Sequence, residues 1–547
     1  MLRIGIDFDN TMACYDQVFA EVAALMGFQT SHEVATKIKV KQSIQNSPYG
    51  DQLWQRLQGQ VYGKHMLLAK VFAGVQEFIC LAKIRGHEVF VVSHKSEFGH
   101  FDEEHISLRG QAMLWLEKNN FFLTNHLHLN KEDIFFESTR EDKIQRIQDL
   151  ACTHFIDDLP EVFTEPQFPE HIEKLLFSPS DSFSGDASIK VASSWRNITA
   201  QVLGSWTEAE VCQALQNFFP ELAVNKAEIQ TGRGNSRVYK LTTSSSKNYI
   251  LKVYPDLQSD KRPRLQTEYA ACQELSNRAY PVAKAIAFQE QLGWGIYEWV
   301  DGAPIEKPNQ AFLLSAAKFV QRLALDSKAN HAFTQMESAS EACLSGLEIT
   351  KQIEKRLIKL KAVGEPDLNA YSVNEFTPIF ETALDFSKTI SGKSFNQQLH
   401  RSLQIASPSD FGSHNALVLA CGSITFIDFE YFGWDDPVKL VCDFYWHPGM
   451  NLSPQLRQQW LGSARAIFQN DVEFSKRLTA YLPLFGLRWC LIILNEFLKS
   501  EMSRRLHANP IQADAQSDIC SQQLNKAKAL LEEVKEQLHH GSKVQAT

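Results

Sequence analysis

The sequence predicts an α/β protein in two parts: an N-terminal doubly wound parallel sheet, then a bilobal α+β domain whose C-terminal lobe is largely helical. In the first part, to about residue 204, short apolar runs alternate with helix-like segments. Antiparallel strand patterns around the turn-like stretch SSSKN follow at residues 228–254. The remainder has helical periodicity, except for one compact loop-and-strand block at residues 407–437. At 547 residues, the chain is also longer than one hydrophobic core usually organises.

The apolar runs of the first part are predicted strands. They read RIGIDF, EVFVVSH, THFIDD, KLLFSP and IKVASSW, and their lack of alternation indicates burial on both faces. A helical segment, VQEFICLAKIRG, separates two of them, and this strand–helix–strand order favours a parallel sheet. Ligands of such sheets bind at the carboxyl ends of the strands, where Asp7, Ser93 and Asp157 are placed.

Composition narrows the class of protein. Hydrophobic residues make up 44% of the chain and charged residues 22%, which is typical of a soluble globular protein, and the net charge of −9 argues against a broad nucleic-acid surface. Ten cysteines without a CxxC pair predict reduced thiols. The apolar stretch LPLFGLRWCLIILNEFL contains Arg488 and Glu496, so we expect a buried helix. We therefore expect a cytoplasmic protein without nucleic-acid or membrane partners.

The stretch IDFDNT places Asp7 and Asp9 two residues apart, directly after the first predicted strand. Two carboxylates at this spacing repel each other, so a cation and a phosphoryl group are the expected compensation. Further motifs follow in order and contribute Ser93 of EVFVVSHK, Lys143 of TREDKIQRI, and Asp157 and Asp158 of FIDDLPE. Together these motifs resemble the haloacid dehalogenase superfamily of phosphatases, whose signature is DxDxT.

That resemblance implies a phosphatase domain at residues 1–204, with a helical cap at about residues 12–66 that favours small-molecule substrates. Asp7 would be the nucleophile that forms an aspartyl-phosphate, and Asp9 the general acid and base. The implied Mg²⁺ ligands are Asp7, the backbone carbonyl of Asp9, Asp157 and Asp158. The implied phosphate-binding residues are Thr11, Ser93 and Lys143.

A second group of polar residues lies in SPSDFGSHNALVLACGSITFIDFE. Asp410 and Asn415 are five residues apart, and Asp428 ends the predicted strand SITFID. This block resembles the catalytic loop and metal-binding strand of the aminoglycoside phosphotransferase and choline kinase family, which shares the protein-kinase fold. The matching upstream residues are Gly232, Gly234, Asn235 and Ser236 of TGRGNSRVYKL, Lys252 of YILKVY, Glu268 on the next helix, and Glu298 and Val300 of the hinge IYEWVDG.

The resemblance implies a kinase-like domain at residues 205–547, with an N-lobe at 205–301 and a C-lobe at 302–547. Asp410 would orient the acceptor hydroxyl and accept its proton, while Asn415 and Asp428 would hold Mg²⁺ against ATP. Lys252 would contact the α- and β-phosphates. Pro408 replaces the histidine that braces this loop in the family, so we expect altered loop geometry with the chemistry retained.

No long activation segment or Ala-Pro-Glu stretch follows Asp428, so we expect a small-molecule acceptor. Glu337 and Glu341 are candidates for contacting it, with a solvated helix face as the alternative. Two phosphate-handling sites predict a bifunctional phosphatase and kinase that act at different positions of one sugar- or polyol-like metabolite, with sugar phosphates as candidate substrates. The alternative is a phosphatase regulated by a nucleotide-binding pseudokinase domain.

Overall fold

The computed structural model describes residues 1–28, 37–101, 104–123, 129–179, 185–230, 236–255, 260, 262–329, 333–498 and 516–545 of the chain. The strands of the first part are β1 (Arg3–Ile6), β2 (Ala13–Cys14), β3 (Lys70–Val71), β4 (Glu88–His94), β5 (Ile134–Glu137), β6 (His154–Asp157), β7 (Glu173–Phe177) and β8 (Ile189–Ala192). Its helices are α1 (Asp16–Leu25), α2 (Lys37–Gln45), α3 (Gly50–Tyr62), α4 (Val75–Ile84), α5 (Leu108–Lys118), α6 (Arg140–Asp149), α7 (Pro160–Phe163) and α8 (Trp195–Val202).

Six of these strands form one sheet in the order β5-β4-β1-β6-β7-β8, and every neighbouring pair is parallel. Val89 and Val91 of β4 belong to one buried cluster with residues of α4, whereas Phe90 and Val92 belong to another with residues of α6. Helices therefore cover both faces, which confirms the predicted doubly wound parallel sheet. Strand β5 was not predicted, because its four half-buried residues, IFFE, are too short a run to show a period.

Three helices, α1 to α3, lie between β1 and β4, inside the predicted cap at residues 12–66. Trp54 of α3 stacks on Phe19 of α1 with ring centroids 5.0 Å apart, which joins the helices into one small unit. The antiparallel pair β2–β3, with Ala13 opposite Val71, closes the base of this unit above the sheet.

The strands of the second part are β9 (Val224–Gln230), β10 (Arg237–Thr243), β11 (Asn248–Val253), β12 (Ala285–Gln289), β13 (Trp294–Glu298), β14 (Gly302–Pro304), β15 (Ile405–Ser407), β16 (Ala416–Leu419), β17 (Ile424–Phe426) and β18 (Gly433–Asp435). Its helices are α9 (Glu208–Phe218), α10 (Arg264–Asn277), α11 (Gln310–Asp326), α12 (Gly346–Lys361), α13 (Pro366–Ala370), α14 (Thr377–Ser391), α15 (Pro437–Trp446), α16 (Pro454–Ile467), α17 (Phe474–Ile493) and α18 (Gln516–Gln545).

The second part begins with a five-stranded sheet in the order β12-β13-β11-β10-β9, all antiparallel, with α10 between β11 and β12 along the chain. The segments after β14 are mainly helical and contain two small sheets, β14-β16-β17 and β15-β18. This arrangement confirms the predicted α+β pattern with a largely helical C-terminal part.

Helix α17 contains the apolar stretch that the sequence places in the protein interior. Among the described residues, Phe474–Phe497 is the segment long and apolar enough to cross a membrane, but 72% of its most apolar window is buried inside the protein. Helix α17 packs against α14, α15 and α18. Its hydrophobicity is thus explained by a place in the core.

The segment around residue 204 is in contact with both parts. Arg85 at the end of α4 forms an ion pair of 2.7 Å with Glu210 of α9 and donates a hydrogen bond of 2.8 Å to the backbone oxygen of Ser205. Trp206 packs edge-on against Trp294 of β13, with ring centroids 5.4 Å apart. Buried residues of the first sheet, α9 and the second sheet also belong to one hydrophobic cluster. The domain boundary at residue 204 stays a prediction.

Candidate functional sites

The first site lies where three adjacent parallel strands end. Asp7 directly follows β1, Ser93 is near the end of β4 on one side, and Asp157 ends β6 on the other. The Ser93 hydroxyl donates a hydrogen bond of 2.9 Å to Asp7 Oδ1. Because the strands are parallel and neighbouring, three residues far apart in sequence meet at one edge of the sheet.

Lys143 joins two of these carboxylates from the first turn of α6, a helix capped by the Thr139 hydroxyl. Its Nζ lies 2.7 Å from Asp7 Oδ1 and 2.6 Å from Asp157 Oδ2, and all three side chains are buried. Burial opposes the charge on Lys143, but the ion pairs with Asp157 and Asp7 outweigh it and raise the pKa of the amine. The structure thus brings together Asp7, Ser93, Lys143 and Asp157, as predicted.

The acids of this site have a geometry that suits a divalent cation. One oxygen atom each of Asp7, Asp157 and Asp158 lies within 4.8 Å of the others. Burial raises the pKa of Asp157 to about 6, against the opposing effect of Lys143. Burial and the neighbouring Asp157 raise the pKa of Asp158 well above its usual range. A hard cation such as Mg²⁺ prefers oxygen ligands and would relieve this repulsion, so the donor set fits the predicted ion.

Asp9 is held by two residues that the sequence analysis missed. Lys95 Nζ lies 2.9 and 2.8 Å from the two carboxylate oxygens, and the Tyr15 hydroxyl donates a hydrogen bond of 2.5 Å to Oδ1. Lys95 stands two residues after Ser93, so the alternation of an extended chain was a usable signal. Nothing in the local sequence pattern indicates that Tyr15, which lies at the start of the cap, contacts Asp9.

Thr11, a predicted phosphate-binding residue, contacts one of the acids of the site. Its side chain is fully buried, and its hydroxyl lies 3.5 Å from Asp158 Oδ1, a long hydrogen bond. Its backbone oxygen accepts a hydrogen bond of 2.8 Å from the Trp195 indole. The Thr11 hydroxyl thus faces one of the acids, and its expected contact with phosphate stays a prediction.

A cleft of about 500 Å³ opens above these residues, between the sheet and the cap. Its cap side is lined by polar side chains, among them Lys37, Gln55, Gln58 and Tyr62. The Lys37 amine lies 5.8 Å from the centre of the Tyr62 ring. This volume and polar lining suit a small, hydrogen-bonding ligand.

The second site is centred on Lys252 of β11. Its Nζ lies 2.6 Å from Glu268 Oε1 on α10, the predicted partner, and 2.9 Å from Asp428 Oδ1. The Tyr254 hydroxyl donates a hydrogen bond of 2.6 Å to Glu268 Oε2. Burial opposes the charge on Lys252, but Asp428 and Glu268 outweigh it and raise its pKa. The cluster thus links the antiparallel sheet, α10 and the segment after β17.

A third carboxylate, which the sequence analysis missed, belongs to this cluster. Oxygen atoms of Glu268, Asp428 and Glu430 lie within 4.8 Å of one another. Burial and repulsion by Asp428 raise the pKa of Glu430 to about 8, although Arg264 opposes this shift. Arg264 also contacts Asp260 over 2.7 Å. Such an excess of buried oxygen donors fits a divalent cation beside Asp428.

The loop that carries Asp410 follows β15. Its backbone turns tightly, since the Asp410 N–H donates to the Pro408 oxygen over 2.8 Å and Ser409 has a left-handed φ of 61°. The Asn415 side chain donates to the Asp410 backbone oxygen over 3.0 Å. The backbone oxygen of Asn415 accepts from the Ile427 N–H over 2.9 Å, which places this loop beside the strand that leads to Asp428.

The Asp410 carboxylate contacts a histidine that the sequence analysis did not select. His414 Nε2 lies 2.9 Å from Asp410 Oδ1. Burial opposes the ionised form of Asp410, but the hydrogen bond from His414 and the nearby His447 hold the pKa of Asp410 below its usual range. These contacts favour the ionised form of Asp410, which can accept a hydrogen bond.

The remaining predicted residues have the following positions. Ser236 is half-buried, with a buried hydroxyl that has no partner among the described residues, and Gly232, Gly234 and Asn235 lie outside those residues. In the hinge, the Glu298 N–H donates to the Lys284 oxygen over 2.9 Å, and the Val300 oxygen accepts from the Gly302 N–H over 3.0 Å.

Glu341 does not lie on a solvated helix face. It pairs with Arg356 over 2.7 Å and with Arg488 over 2.8 Å. Burial opposes its ionised form, but the two arginines lower the pKa of Glu341 to about 2. The backbone oxygen of Glu337 accepts from the Trp434 N–H over 2.9 Å. Glu341 is therefore a member of an ion-pair network, and its candidate contact with the acceptor stays a prediction.

Comparisons with known proteins concern the second site. A search of curated proteins found no match to this chain. The chain is similar in structure to an ethanolamine kinase from Plasmodium vivax, with 14% identity, 58% of this chain and 87% of that chain covered, and a TM-score of 0.40. It is also similar to a choline kinase from Streptococcus pneumoniae, with 15% identity, 59% of this chain and 98% of that chain covered, and a TM-score of 0.39. A third similar structure is a spectinomycin phosphotransferase in complex with ADP and spectinomycin, with 13% identity, 61% of this chain and 99% of that chain covered, and a TM-score of 0.43. These likenesses are distant, and we base no substrate on them.

A family model gives the more specific result. Residues 227–370 match the family described as the phosphotransferase enzyme family, abbreviated APH. The matched stretch includes Lys252 and Glu268 and ends before Asp410. The interpretation of the loop that carries Asp410 therefore depends on the contacts described above. Residues 227–370 therefore carry the sequence features of the phosphotransferase enzyme family.

Proposed function

We propose that the chain is a bifunctional enzyme: an ATP-dependent kinase of a small-molecule hydroxyl at the second site and a Mg²⁺-dependent phosphatase at the first. The kinase activity is supported above all by the contacts of Lys252 with Glu268, inside the matched stretch, and with Asp428, which lies beyond it in sequence. The phosphatase activity is supported by Lys143, which bridges Asp7 and Asp157 at the end of the parallel sheet.

At the kinase site, the acceptor hydroxyl binds against Asp410, which orients it and accepts its proton. The hydroxyl oxygen then forms a bond with the γ-phosphorus of ATP, and the bond to the leaving ADP breaks. Lys252 binds phosphate oxygens of the nucleotide. Asn415 and Asp428 would hold Mg²⁺, which neutralises phosphate charge when it is bound.

At the phosphatase site, a carboxylate oxygen of Asp7 forms a bond with the phosphorus, and the substrate alcohol leaves with a proton from Asp9. A water molecule then cleaves the aspartyl-phosphate, with Asp9 accepting its proton. Ser93 and Lys143 bind phosphoryl oxygens throughout. Asp7, the Asp9 carbonyl, Asp157 and Asp158 would hold Mg²⁺, which offsets charge on the phosphoryl group when bound.

The substrates that this proposal favours are polar metabolites of the sugar or polyol class. The cap side of the cleft offers amide, hydroxyl and ammonium groups from Gln55, Gln58, Tyr62 and Lys37, and such groups bind hydroxyls. The two sites would act at different positions of one metabolite, because opposite reactions at one position would only consume ATP. All ten cysteines are unpaired thiols, which supports the proposed cytoplasmic location.

A substrate panel tests this proposal. Sugars, polyols and sugar phosphates are incubated with ATP and Mg²⁺, and ADP formation and phosphate release are measured separately. We expect Asp7→Asn to lose phosphate release alone and Asp410→Asn to lose substrate-dependent ADP formation alone. Asp518→Asn, at an exposed position of α18, is the control. If neither active-site variant changes turnover of any compound, the proposal fails.

A second candidate function is a phosphatase regulated by nucleotide binding at a pseudokinase domain. One observation favours it: α8 contacts both sites through consecutive residues. The Trp195 indole donates to the Thr11 backbone oxygen over 2.8 Å, and the Arg196 guanidinium donates to the Tyr254 backbone oxygen over 3.2 Å. ATP binding that changes the phosphatase rate, without phosphoryl transfer to any acceptor in the panel, would support this candidate.

A further inference from the structure

The tautomer of His447 follows from its hydrogen bonds. His447 lies just beyond α15, and the Gly449 backbone N–H donates to its Nδ1 over 3.0 Å. A backbone N–H cannot pair with a second N–H, so Nδ1 carries no proton and Nε2 carries it. That Nε2 lies 3.8 Å from Asp410 Oδ1. His447 therefore presents an N–H group toward the Asp410 carboxylate, although it lies at the end of α15 and is distant in sequence from the loop that carries Asp410.

His414 presents a second N–H group to the same oxygen. Its Nε2 lies 2.9 Å from Asp410 Oδ1, and a carboxylate only accepts hydrogen bonds. The rings of His414 and His447 are stacked, with centroids 3.9 Å apart and an angle of 5° between their planes. Trp489 packs edge-on against the outer face of His447 at 4.5 Å. The stacked histidine pair, with Trp489 edge-on against it, holds both N–H groups in one direction.

The surrounding loop is built around this stack. A Cβ at Gly412 would lie 2.5 Å from Met450 Sδ and 2.7 Å from His414 Cε1, so only glycine is accommodated there. The Ser413 N–H lies 2.9 Å from Met450 Sδ, which ties the loop to the turn after His447. The loop backbone on the N-terminal side of His414 is thus closely packed, and the exposed His414 ring is kept facing Asp410 by its stacking on His447.

We propose that His414 and His447 position Asp410 for catalysis, taking over the bracing of the loop that Pro408 cannot provide. The His414 Nε2–H occupies Oδ1 through a hydrogen bond of 2.9 Å, and the His447 Nε2–H, 3.8 Å away, faces the same oxygen and supports it electrostatically, which leaves Oδ2 for the acceptor hydroxyl. A spacing within 4.8 Å would also let these three residues bind a metal ion, but the proton on His447 Nε2 blocks its lone pair. This inference rests on the proposed kinase function, and both histidines are positioning residues.

The kinetic test uses the full chain and the best acceptor from the substrate panel. His414→Leu should lower kcat 10- to 100-fold, because general base catalysis of this kind contributes about 10²–10⁴-fold in total. The KM for ATP should change less than twofold, since His414 has no assigned contact with the nucleotide. His414→Gln, whose amide can donate to Asp410, should restore at least a third of the lost rate. His539→Leu, exposed on α18, is the control.

A purely structural histidine would predict other results. If His414→Leu fails to fold, its melting temperature will be lower than that of the wild type. In that case the kcat of the better-tolerated His414→Gln decides between the positioning role and a purely structural role. A His414→Leu enzyme with the wild-type kcat, or a His414→Gln enzyme no better than His414→Leu, would overturn the proposal.

A second measurement does not need kinase activity, so it separates failure of this inference from failure of the proposed function. Long-range ¹H–¹⁵N spectra of the full chain labelled at histidine report the tautomer of each ring, and His447→Gln identifies the signals of His447. We expect a neutral His447 with its proton on Nε2, and a shift of the His414 Nε2 signal in Asp410→Asn. A proton on His447 Nδ1, or His414 signals unaffected by Asp410→Asn, would refute the arrangement.

Discussion

Arg196 donates a hydrogen bond of 3.2 Å to the backbone oxygen of Tyr254, and this contact joins the last helix of the first part to the residue that directly follows β11, the strand of Lys252. Tyr254 in turn donates its hydroxyl to Glu268, the partner of Lys252. Next to Arg196, the buried Trp195 is bonded to Thr11 in the loop after Asp7. One helix therefore has direct contacts with the surroundings of both sites.

We predict that nucleotide binding and phosphatase activity are coupled through this helix. A non-hydrolysable ATP analogue should change the phosphatase rate of the wild type, and Arg196→Ala should reduce that change by about fivefold, the value of one hydrogen bond of ~1 kcal/mol. The rate without nucleotide should stay within twofold. Arg465→Ala, exposed on α16, is the control. An analogue effect of equal size in Arg196→Ala would exclude this route.

Lys143→Met should remove phosphatase activity and lower stability together. The change leaves Asp7 and Asp157 buried beside each other without their common cation, which costs about 3–5 kcal/mol in the free energy of unfolding. Chemical denaturation followed by fluorescence measures the loss, and phosphate release measures the activity. Lys355→Met, exposed on α12, should alter neither. A fully stable Lys143→Met variant would contradict the ion-pair assignment.

Lys252→Met should weaken binding of an ATP analogue by 10- to 100-fold, because charge-assisted hydrogen bonds contribute about 1.5–3 kcal/mol. Titration calorimetry checks the affinity, and phosphate release from the first site should be maintained in the absence of nucleotide. The matched control is Lys226→Met, on β9 of the same sheet and exposed. Unchanged affinity in Lys252→Met would argue against a nucleotide at this position.

Mg²⁺ should stabilise the N-terminal part of the chain. An ion at 100 times its dissociation constant adds ~2.7 kcal/mol to the free energy of unfolding. Asp158→Asn should reduce this gain, since it removes one of three acids within 4.8 Å of one another. Thermal melting with and without Mg²⁺ measures the effect, and removal of Mg²⁺ with a chelator should abolish both activities. An equal gain in Asp158→Asn would show that the ion binds elsewhere.

Lys37→Ala should raise the phosphatase KM by about tenfold, the loss expected for one charge-assisted hydrogen bond, and change kcat little. Lys37 lines the cleft near Tyr62, and its charge interacts with Asp158 and Asp9 through space rather than through a described ion pair. Lys41→Ala is the matched control on the same helix, where the amine lies 5.9 Å from the Trp54 ring instead. A lowered kcat with unchanged KM would indicate a catalytic role in place of substrate binding.

Local signals were enough to find the residues at the ends of strands. Asp7, Ser93 and Asp157 each follow an apolar run, and in a parallel sheet such ends meet whatever the length of the connections. The Lys252–Glu268 pair was also predictable, because a strand followed by one helix brings them within reach. Strand β5 was missed, since four half-buried residues at a sheet edge have no clear period.

The sequence by itself determined the α/β pattern and the acidic residues of both sites except Glu430, because burial periods and short motifs are properties of neighbouring residues. Only the tertiary structure decided which distant side chains complete those sites. Arg264 meets Glu430 across 166 positions, and His447 reaches Asp410 from the end of another helix. Such contacts depend on how helices and sheets pack, and packing depends on the volumes and angles of whole elements, which no local pattern contains.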